Sequence, residues 1–570
     1  MSIHWTGHPF VDAGLAALAT VAKARDLKEL TPVHLDIAVK ELQRIFLSDQ
    51  ALGLGVKKAF VRSAMSQVFP NSELVNPSNW KGKTLEEKAE NVRRKFREAI
   101  GADLERAKRC LQTCDGNEVC YVCGERRQTD TMVIVRKDRM PMLGGIVNFY
   151  PAFDWGVRIC GICALAVRFF PLSVMRTGVR NRLWFLHTQA LPIVETISER
   201  YCWRHLNALI ARNEALDFFS SWETAGDAGT VLYLLCELLD EFGDQLRNIY
   251  QNPIPATAYL FSNDLRNTYV QVVPIPNELL IFLAKLQLRS PSAYRKFWQE
   301  LLQISSGTLG KERKARTNFV QSVAVQLLNG QDLLALCLNH EIPKLHGGWI
   351  GHRLYLQEVM KVPTAKLAIL EQLGVRIALS DDHRRHVMEL RNARYGDIYG
   401  ILLRYVRDGW LKHDEFYVLL PPNDYKAANQ VRDVLLAVIY EWQYCQEHGK
   451  PFPSSVEEPS APPPDEILQR IRRIGEQLIE RSPNLKRWLG DLQSARSVDR
   501  FRGVYLTAIR QGAISFSDFI FLVPLDEPQR AWLLRDYLLA FLFEQAREAI
   551  PEGEEIATGT EAETIEGGEA

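Results

Sequence analysis

Two pairs of cysteines carry the strongest chemical signal in the chain. Cys120-Tyr121-Val122-Cys123 is followed directly by Gly124, and Cys160-Gly161-Ile162-Cys163 follows 36 residues later. Two residues between cysteines let both sulfurs converge on one ion, and two such pairs supply the four tetrahedral sulfurs of a structural zinc site. A glycine after or within each pair permits the tight turn that aims backbone N–H groups at thiolates. Four sulfurs leave no position for water, so a zinc held by Cys120, Cys123, Cys160 and Cys163 would be structural and not catalytic. Two other readings of the thiols remain: buried apolar side chains, or a redox role for one pair. Cys110 and Cys114 stand close enough in sequence to substitute as ligands.

Other catalytic patterns fail on single residues. Lys81-Gly82-Lys83-Thr84 ends like a phosphate-binding loop, but Pro77 stands where the first glycine is required. His340-Glu341 begins like a metalloprotease helix, but Lys344 replaces the second histidine. Asp381-Asp382-His383-Arg384-Arg385-His386 suggests a metal-dependent nuclease. Two acids at a helix start, favoured there by the helix dipole, account for it more simply. No Gly-x-Ser-x-Gly elbow occurs. The expectation is a protein without catalysis of its own, and a zinc-containing metal-dependent nuclease or hydrolase is the alternative.

Basic residues recur in clusters: Arg93, Arg94, Lys95 and Arg97; Lys311, Arg313, Lys314 and Arg316; then Arg384 to Arg407; then Arg470 to Arg510. A single cluster reads most simply as a solvated face paired with nearby acids. Several on successive helices point to phosphate contact. Lys and Arg number 69, as do Asp and Glu, but seven of the acids lie between Glu552 and Ala570, which contain no base. The rest of the chain therefore carries 69 basic against 62 acidic side chains.

The elements that must position these residues are mainly α-helical. At 570 residues the chain holds about three or four domains. A first helix is expected from Asp12 to Ala24. A second opens with Thr31 as N-cap and Pro32 at the first helical position and runs to about Asp49. A charged helix spans Leu85 to Leu111. Between them, Phe69 to Lys83 reads as a loop. Short β-like runs at Thr131–Val135 and Ile146–Phe149 lie between the two cysteine pairs, and Thr268–Val273 marks a second β-containing patch. Lys450 to Asp465, with six prolines, is a linker or long loop. Three helices follow, at Asp465–Arg481, Ser494–Gln511 and Glu527–Ala549, with Gly512 closing the second.

The resulting division is an N-terminal helical part (1–113), a four-Cys zinc insert with short strands (114–170), a continuation of the first part (171–380), a C-terminal helical bundle (381–550, interrupted by the proline-rich loop 450–465) and a disordered acidic tail (551–570). The fold class is mainly α, multi-domain, with a small β-containing zinc insert. No apolar run reaches the ~18 residues of a membrane span, and the N-terminus lacks a signal-peptide pattern. A cytoplasmic location is expected.

Two segments together resemble a known family. Trp5-Thr6-Gly7-His8-Pro9-Phe10-Val11-Asp12-Ala13-Gly14 is similar to the "TGxPFVDxG" opening of the large subunit of type I-B CRISPR Cascade complexes. Within that family it resembles the subfamily named for paired C-x-x-C motifs, here Cys120/Cys123 and Cys160/Cys163. His8 stands where that family has Asn, so no polar role is carried over to it. The motifs lie in the first third of the chain; the remainder matches in size and class.

The resemblance implies an antiviral-defence role as a non-catalytic, DNA- and RNA-binding subunit of a ribonucleoprotein. Such a subunit sits at the guide RNA's 5′ end, among the Cascade backbone and 5′-handle-binding subunits and the small subunits. It recognises the protospacer-adjacent motif (PAM) in target double-stranded DNA, aids R-loop opening and holds the displaced strand. A recruited helicase-nuclease, or Tn7-like transposition proteins, would act downstream. Candidate base-reading residues are Asn71, Asn76, Asn79, Lys81 and Lys83 in one loop and Asn263, Arg266 and Asn267 in another. Arg496, Arg500 and Arg502 are candidates for phosphate contact in the bundle. Small subunits of some such systems arise from an internal start, for which Met388 is the last methionine here.

Overall fold

A computed structural model of the chain describes residues 2–54, 68–69, 72–112, 116–135, 140, 156–176, 182–212, 226–242, 255–263, 268–303, 310–421, 427–453, 466–482, 485–524 and 527–549. These residues are mostly helical, with small antiparallel sheets. They form two compact units, residues 1–336 with 346–360, and residues 337–345 with 361–570.

The first unit is built on the opening motif. Helix α1 (Pro9–Ala22) begins three residues before the expected Asp12, because Pro9 occupies the first helical position and needs no N–H partner. It stops where Lys23 turns left-handed, at φ 59°. Several residues of the motif have a physical task. Asp12 is fully buried. Its Oδ1 accepts from the Thr6 N–H and hydroxyl, both at 2.7 Å, and its Oδ2 from the Gly7 N–H at 3.0 Å. Phe10 enters an aromatic cluster with Phe170, Phe185 and Phe261, at ring-centroid distances of 5.1, 5.1 and 5.7 Å. Gly14 is required because a Cβ there would run into the Ala166 carbonyl.

The element that α1 meets at Gly14 is α4 (Gly161–Phe169), and α1 also lies against α2 (Pro32–Phe46). Thr31 caps α2 as expected, its hydroxyl accepting from the His34 N–H. Against α4 packs α3 (Leu85–Gln112), matching the charged helix of the sequence. Between α3 and α4 lie two antiparallel strand pairs: β1 (Glu118–Val119) with β2 (Arg126–Arg127), and β3 (Met132–Val135) with β4 (Val157–Cys160). The expected run Ile146–Phe149 and Cys114 lie outside the described residues.

Beyond α4 comes a four-stranded antiparallel sheet in simple order: β5 (Met175–Arg176), β6 (Leu183–Thr188), β7 (Ala256–Asn263) and β8 (Thr268–Ile275). One face of β6 and β7 supplies Phe185 and Phe261 to the core around α1. The same face carries His187, whose Nε2 lies 3.0 Å from Asp12 Oδ2 and so ties the sheet to the opening loop. Between β6 and β7 the chain forms α5 (Leu191–Thr196), a π-helical turn (Ile197–Trp203), α6 (Arg204–Ala211) and α7 (Gly226–Phe242). After β8 come α8 (Asn277–Arg289), α9 (Pro291–Leu302), α10 (Gly310–Leu328) and α11 (Trp349–Glu358).

One charge inside the apolar run Ile162–Phe170 is notable. Arg168 on α4 is 9% exposed and pairs with two carboxylates. Its Nη1 lies 2.6 Å from Glu73 Oε2, and its Nη2 lies 2.9 Å from Asp103 Oδ2. The pairing joins α4, α3 and the loop that precedes α3.

The second unit is a helical bundle, to which a small hairpin, β9 (Leu338–Asn339) with β10 (Lys344–Leu345), contributes. Its helices are α12 (Thr364–Leu379), α13 (His383–Asn392), α14 (Tyr395–Arg407), α15 (His413–Leu419) and α16 (Ala427–Glu447), then α17 (Glu466–Arg481), α18 (Leu485–Ser494), α19 (Val498–Arg510), α20 (Phe516–Leu522) and α21 (Pro528–Ala549). α21 packs on α14, α15, α17, α18, α19 and α20 and is the axis of the bundle. Its Leu534, Tyr537, Leu538 and Leu542 are fully buried. Helix α19 starts at Val498 and not at Ser494, because Ser497 caps it, its hydroxyl accepting from the Arg500 N–H. Most of the proline-rich stretch, 454–465, and the tail, 550–570, lie outside the described residues.

Candidate metal centre

The four cysteines of the two pairs come together. The sulfurs of Cys120, Cys123, Cys160 and Cys163 all lie within 4.8 Å of one another, with Cys120 to Cys163 at 3.9 Å and Cys123 to Cys160 at 3.8 Å. A zinc–sulfur bond of about 2.3 Å in tetrahedral geometry places its sulfurs about 3.8 Å apart. The donor set and its spacing fit one zinc ion held by these four residues. Cys110, considered as a substitute, is not one of the four.

Local structure explains the convergence. The first pair sits in the β1–β2 turn, where Gly124 adopts φ +71° and its N–H donates to the Cys120 carbonyl at 3.0 Å. The Cys120 N–H donates to the Glu125 carbonyl at 2.9 Å, and the Tyr121 N–H to the Arg158 carbonyl on β4 at 3.0 Å. The second pair is built differently. Cys160 is the N-cap of α4 and Cys163 lies in its first turn, where the helix dipole favours thiolate. The Cys160 N–H donates to the Cys120 sulfur at 3.2 Å, which joins the two pairs directly. Gly161 is helical and makes no unusual turn, contrary to the role expected for it. A Cβ there would meet the α3 backbone at Ala107 N and Arg106 C, both 2.5 Å away, so this glycine permits helix–helix contact.

Four thiols this close do not ionise alike. Hydrogen bonds from Cys123, Cys160 and Cys163 hold Cys120 far below the ordinary thiol value. Cys160, through Cys110 first, and Cys163, through Cys120 first, are pushed well above it. Full ionisation requires a cation among them. Four thiolates around a divalent ion leave two negative charges, and the neighbouring Arg127, 4% exposed, is a fixed positive charge beside them. Arg127 lines a small cavity together with Cys123, Cys160 and Cys163 and with Ser2, Ile3, His4 and Thr6 of the N-terminal arm. The N-terminal arm thus shares a cavity with the cysteines and leads into the loop clamped by Asp12.

The remaining candidate residues are dispersed. Asn71, Arg266 and Asn267 lie outside the described residues, and Asn263 ends β7. In the first loop, the Asn76 side-chain Oδ1 accepts from the Ser78 N–H, and the Asn79 side-chain Nδ2 donates to the Glu73 backbone carbonyl, both at 2.9 Å. Those atoms shape the turn. Lys81 and Lys83 are exposed. In the bundle Arg496 and Arg500 are exposed, while Arg502 pairs with Asp499 at 3.1 Å. The cluster on α3 is largely offset by acids: Arg93 pairs with Asp49, Arg94 and Lys95 with Glu98, and Arg97 with Glu90.

In the histidine segment weighed as a nuclease, His386 packs against Tyr405 and Trp410 at 5.5 and 5.1 Å. Among the described residues the four cysteines are the one group of three or more His, Cys, Asp or Glu side chains placed to share a metal ion. No described helix is long and apolar enough to cross a membrane. Two site-shaping groups escaped the sequence reading, Asp12 with His187, and Arg168 with Glu73 and Asp103. The visible signals were an acid within the first turns of an apolar helix and an arginine in an apolar run. No protein-family model, curated protein or solved structure matches the chain.

Proposed function

We propose that the chain is the non-catalytic large subunit of a type I-B CRISPR Cascade complex. In this reading it works in the cytoplasm, recognises the protospacer-adjacent motif in duplex DNA, aids strand opening and holds the displaced strand. The guide RNA reads the target by base pairing, and the protein checks a short neighbouring duplex. Supporting this reading is the meeting of its two signature segments: the N-terminal arm and Thr6 line the same cavity as Cys123, Cys160 and Cys163. Sequence positions more than a hundred residues apart thereby form one substructure.

A zinc ion on the four cysteines supplies cross-linking and charge, with no open coordination position for chemistry. The chain's own residues do the rest. Asp12 and His187 fix the opening loop, and Arg168 fixes the base of the Asn76–Lys83 loop through Glu73. A loop held in place loses little further entropy on meeting a groove edge. Guide RNA, Cascade backbone and small subunits are the partners, and a helicase-nuclease or Tn7-like transposition proteins follow downstream.

The test is reconstitution of guide-loaded complexes with and without this chain, scored on duplexes that carry or lack candidate motifs. Motif-dependent binding should require the chain. Equal binding without it overturns the proposal. Divalent-metal-dependent cleavage by the purified chain, abolished by His383→Ala, would establish the nuclease alternative.

A further inference from the structure

The four cysteines are not equally sheltered. Cys120, Cys160 and Cys163 are each 1% exposed, whereas Cys123 is only partly buried. Cys123 also lines the small cavity shared by Cys160, Cys163 and the N-terminal arm. That cavity measures about 20 Å³, enough for one molecule of the size of water. Hydrogen peroxide is little larger. A small oxidant arriving from solvent therefore meets Cys123 before the other three.

The surroundings supply what a thiol oxidation needs next. The Cys160 sulfur lies 3.8 Å from that of Cys123. Closing this gap to a disulfide bond of about 2.05 Å moves each sulfur by less than about 1 Å. Cys160 is the N-cap of α4, where the helix dipole favours thiolate, the form that attacks. Arg127 lines the same cavity and offers positive charge to a departing hydroxide. Cys120 and Cys163 lie 3.9 Å apart, but both are buried. Exposure, not distance, selects Cys123.

We infer that Cys123 is a site of oxidation by hydrogen peroxide, resolved by Cys160 into a disulfide between the two cysteine pairs. The Cys123 thiolate attacks one peroxide oxygen. An S–O bond forms, the O–O bond breaks, and the departing hydroxide takes a proton from solvent. The Cys160 thiolate then attacks the Cys123 sulfur. The S–S bond forms as the S–O bond breaks, and the second hydroxide is protonated in turn. The two sulfurs give up two electrons, one peroxide accepts them, and two waters leave. Only Cys120 and Cys163 remain as thiolates, too few to hold a zinc ion. The new bond closes a loop between residues 37 apart and joins the same two segments as the ion, so the cross-link outlasts the metal. Metal release rests on reading the four cysteines as a metal centre; the disulfide does not.

The test exposes the full-length, zinc-loaded chain to a few equivalents of hydrogen peroxide. Zinc release is followed with a chromophoric chelator, and disulfides are mapped by mass spectrometry after non-reducing digestion. About one zinc per chain should leave, with Cys123 joined to Cys160, and dithiothreitol with added zinc should reverse both. The oxidised, metal-free chain should melt within about 5 °C of the zinc-loaded one, and roughly 10 °C lower once dithiothreitol opens the bond in the presence of EDTA. In Cys160→Ser, where serine preserves the cap, dimedone should trap a sulfenic acid at Cys123.

The site is overturned if the wild-type disulfide lies within one pair, joins Cys120 to Cys163 or uses Cys110. It is equally overturned if peroxide displaces zinc and no disulfide forms. The wild-type map needs no substitution, so it decides the pairing even where Cys160→Ser folds poorly. A reduced chain that carries no zinc overturns the metal reading, and the disulfide map then still decides the oxidation site.

Discussion

Arg168→Met would remove the positive centre of a buried cluster and leave the carboxylates of Glu73 and Asp103 facing a thioether. Their side chains are 12% and 3% exposed, so water cannot replace the lost partner. Breaking a buried pair by removing one member costs about 3–5 kcal/mol, mainly through the unpaired charge left behind. Asp103 keeps Arg106 at 3.0 Å, which places the expected cost toward the lower end. At about 2–4 °C per kcal/mol for a large domain, the first unit should melt roughly 10 °C lower. Hydrogen exchange should rise first in α3, α4 and the loop that begins at Glu73. The triple variant Arg168→Met/Glu73→Gln/Asp103→Asn removes the charges along with the partner and should recover at least half of the loss. The reasoning is refuted if Arg168→Met melts within about 2 °C of wild type, or if the triple variant is less stable than the single one.

Three further outcomes follow from the same structure. Cys120→Ser or Cys163→Ser should abolish the bound zinc, about one per chain in wild type, and cost solubility, whereas Cys110→Ser should keep it; elemental analysis of purified protein decides this. Burial lowers His352 to about 4 from 6.5, so the folded state stays neutral while the unfolded chain takes up a proton. Stability should therefore fall as pH drops through 6.5 and level off near 4, by about 3 kcal/mol in total, and denaturant titrations of wild type and His352→Gln should show that only wild type carries this slope. Gly14→Ala drives a methyl into the Ala166 carbonyl and should destabilise the first unit by about 1–3 kcal/mol, seen as a lower melting temperature.

Local chemistry was legible in the sequence wherever neighbours along the chain determine it. Thr31-Pro32 announces a helix start, and Gly512 follows the end of α19 at φ +69°. The spacing within each cysteine pair announces shared ligation. Contacts across long separations were not legible. Nothing adjacent to Asp12 announces His187, 175 residues on, and Arg168 reads only as an interruption until Glu73 and Asp103 are seen beside it. The sheet was visible only in fragments, because β6 and β7 pair across α5, α6 and α7. On α3 the basic run meets the nearby acids its sequence suggests, Glu90 and Glu98, whereas Asp49, which pairs with Arg93 from 44 residues earlier, could not be read there.

Cys160 both caps α4 and belongs to the four-cysteine group, so the central helix of the first unit begins at a candidate metal ligand. During synthesis Cys120 and Cys123 emerge well before that helix. The nascent chain therefore holds half a chelate until residue 163 leaves the ribosome. Cells starved of zinc should then accumulate a chain whose defect is late assembly, visible to proteases before any partner could claim it.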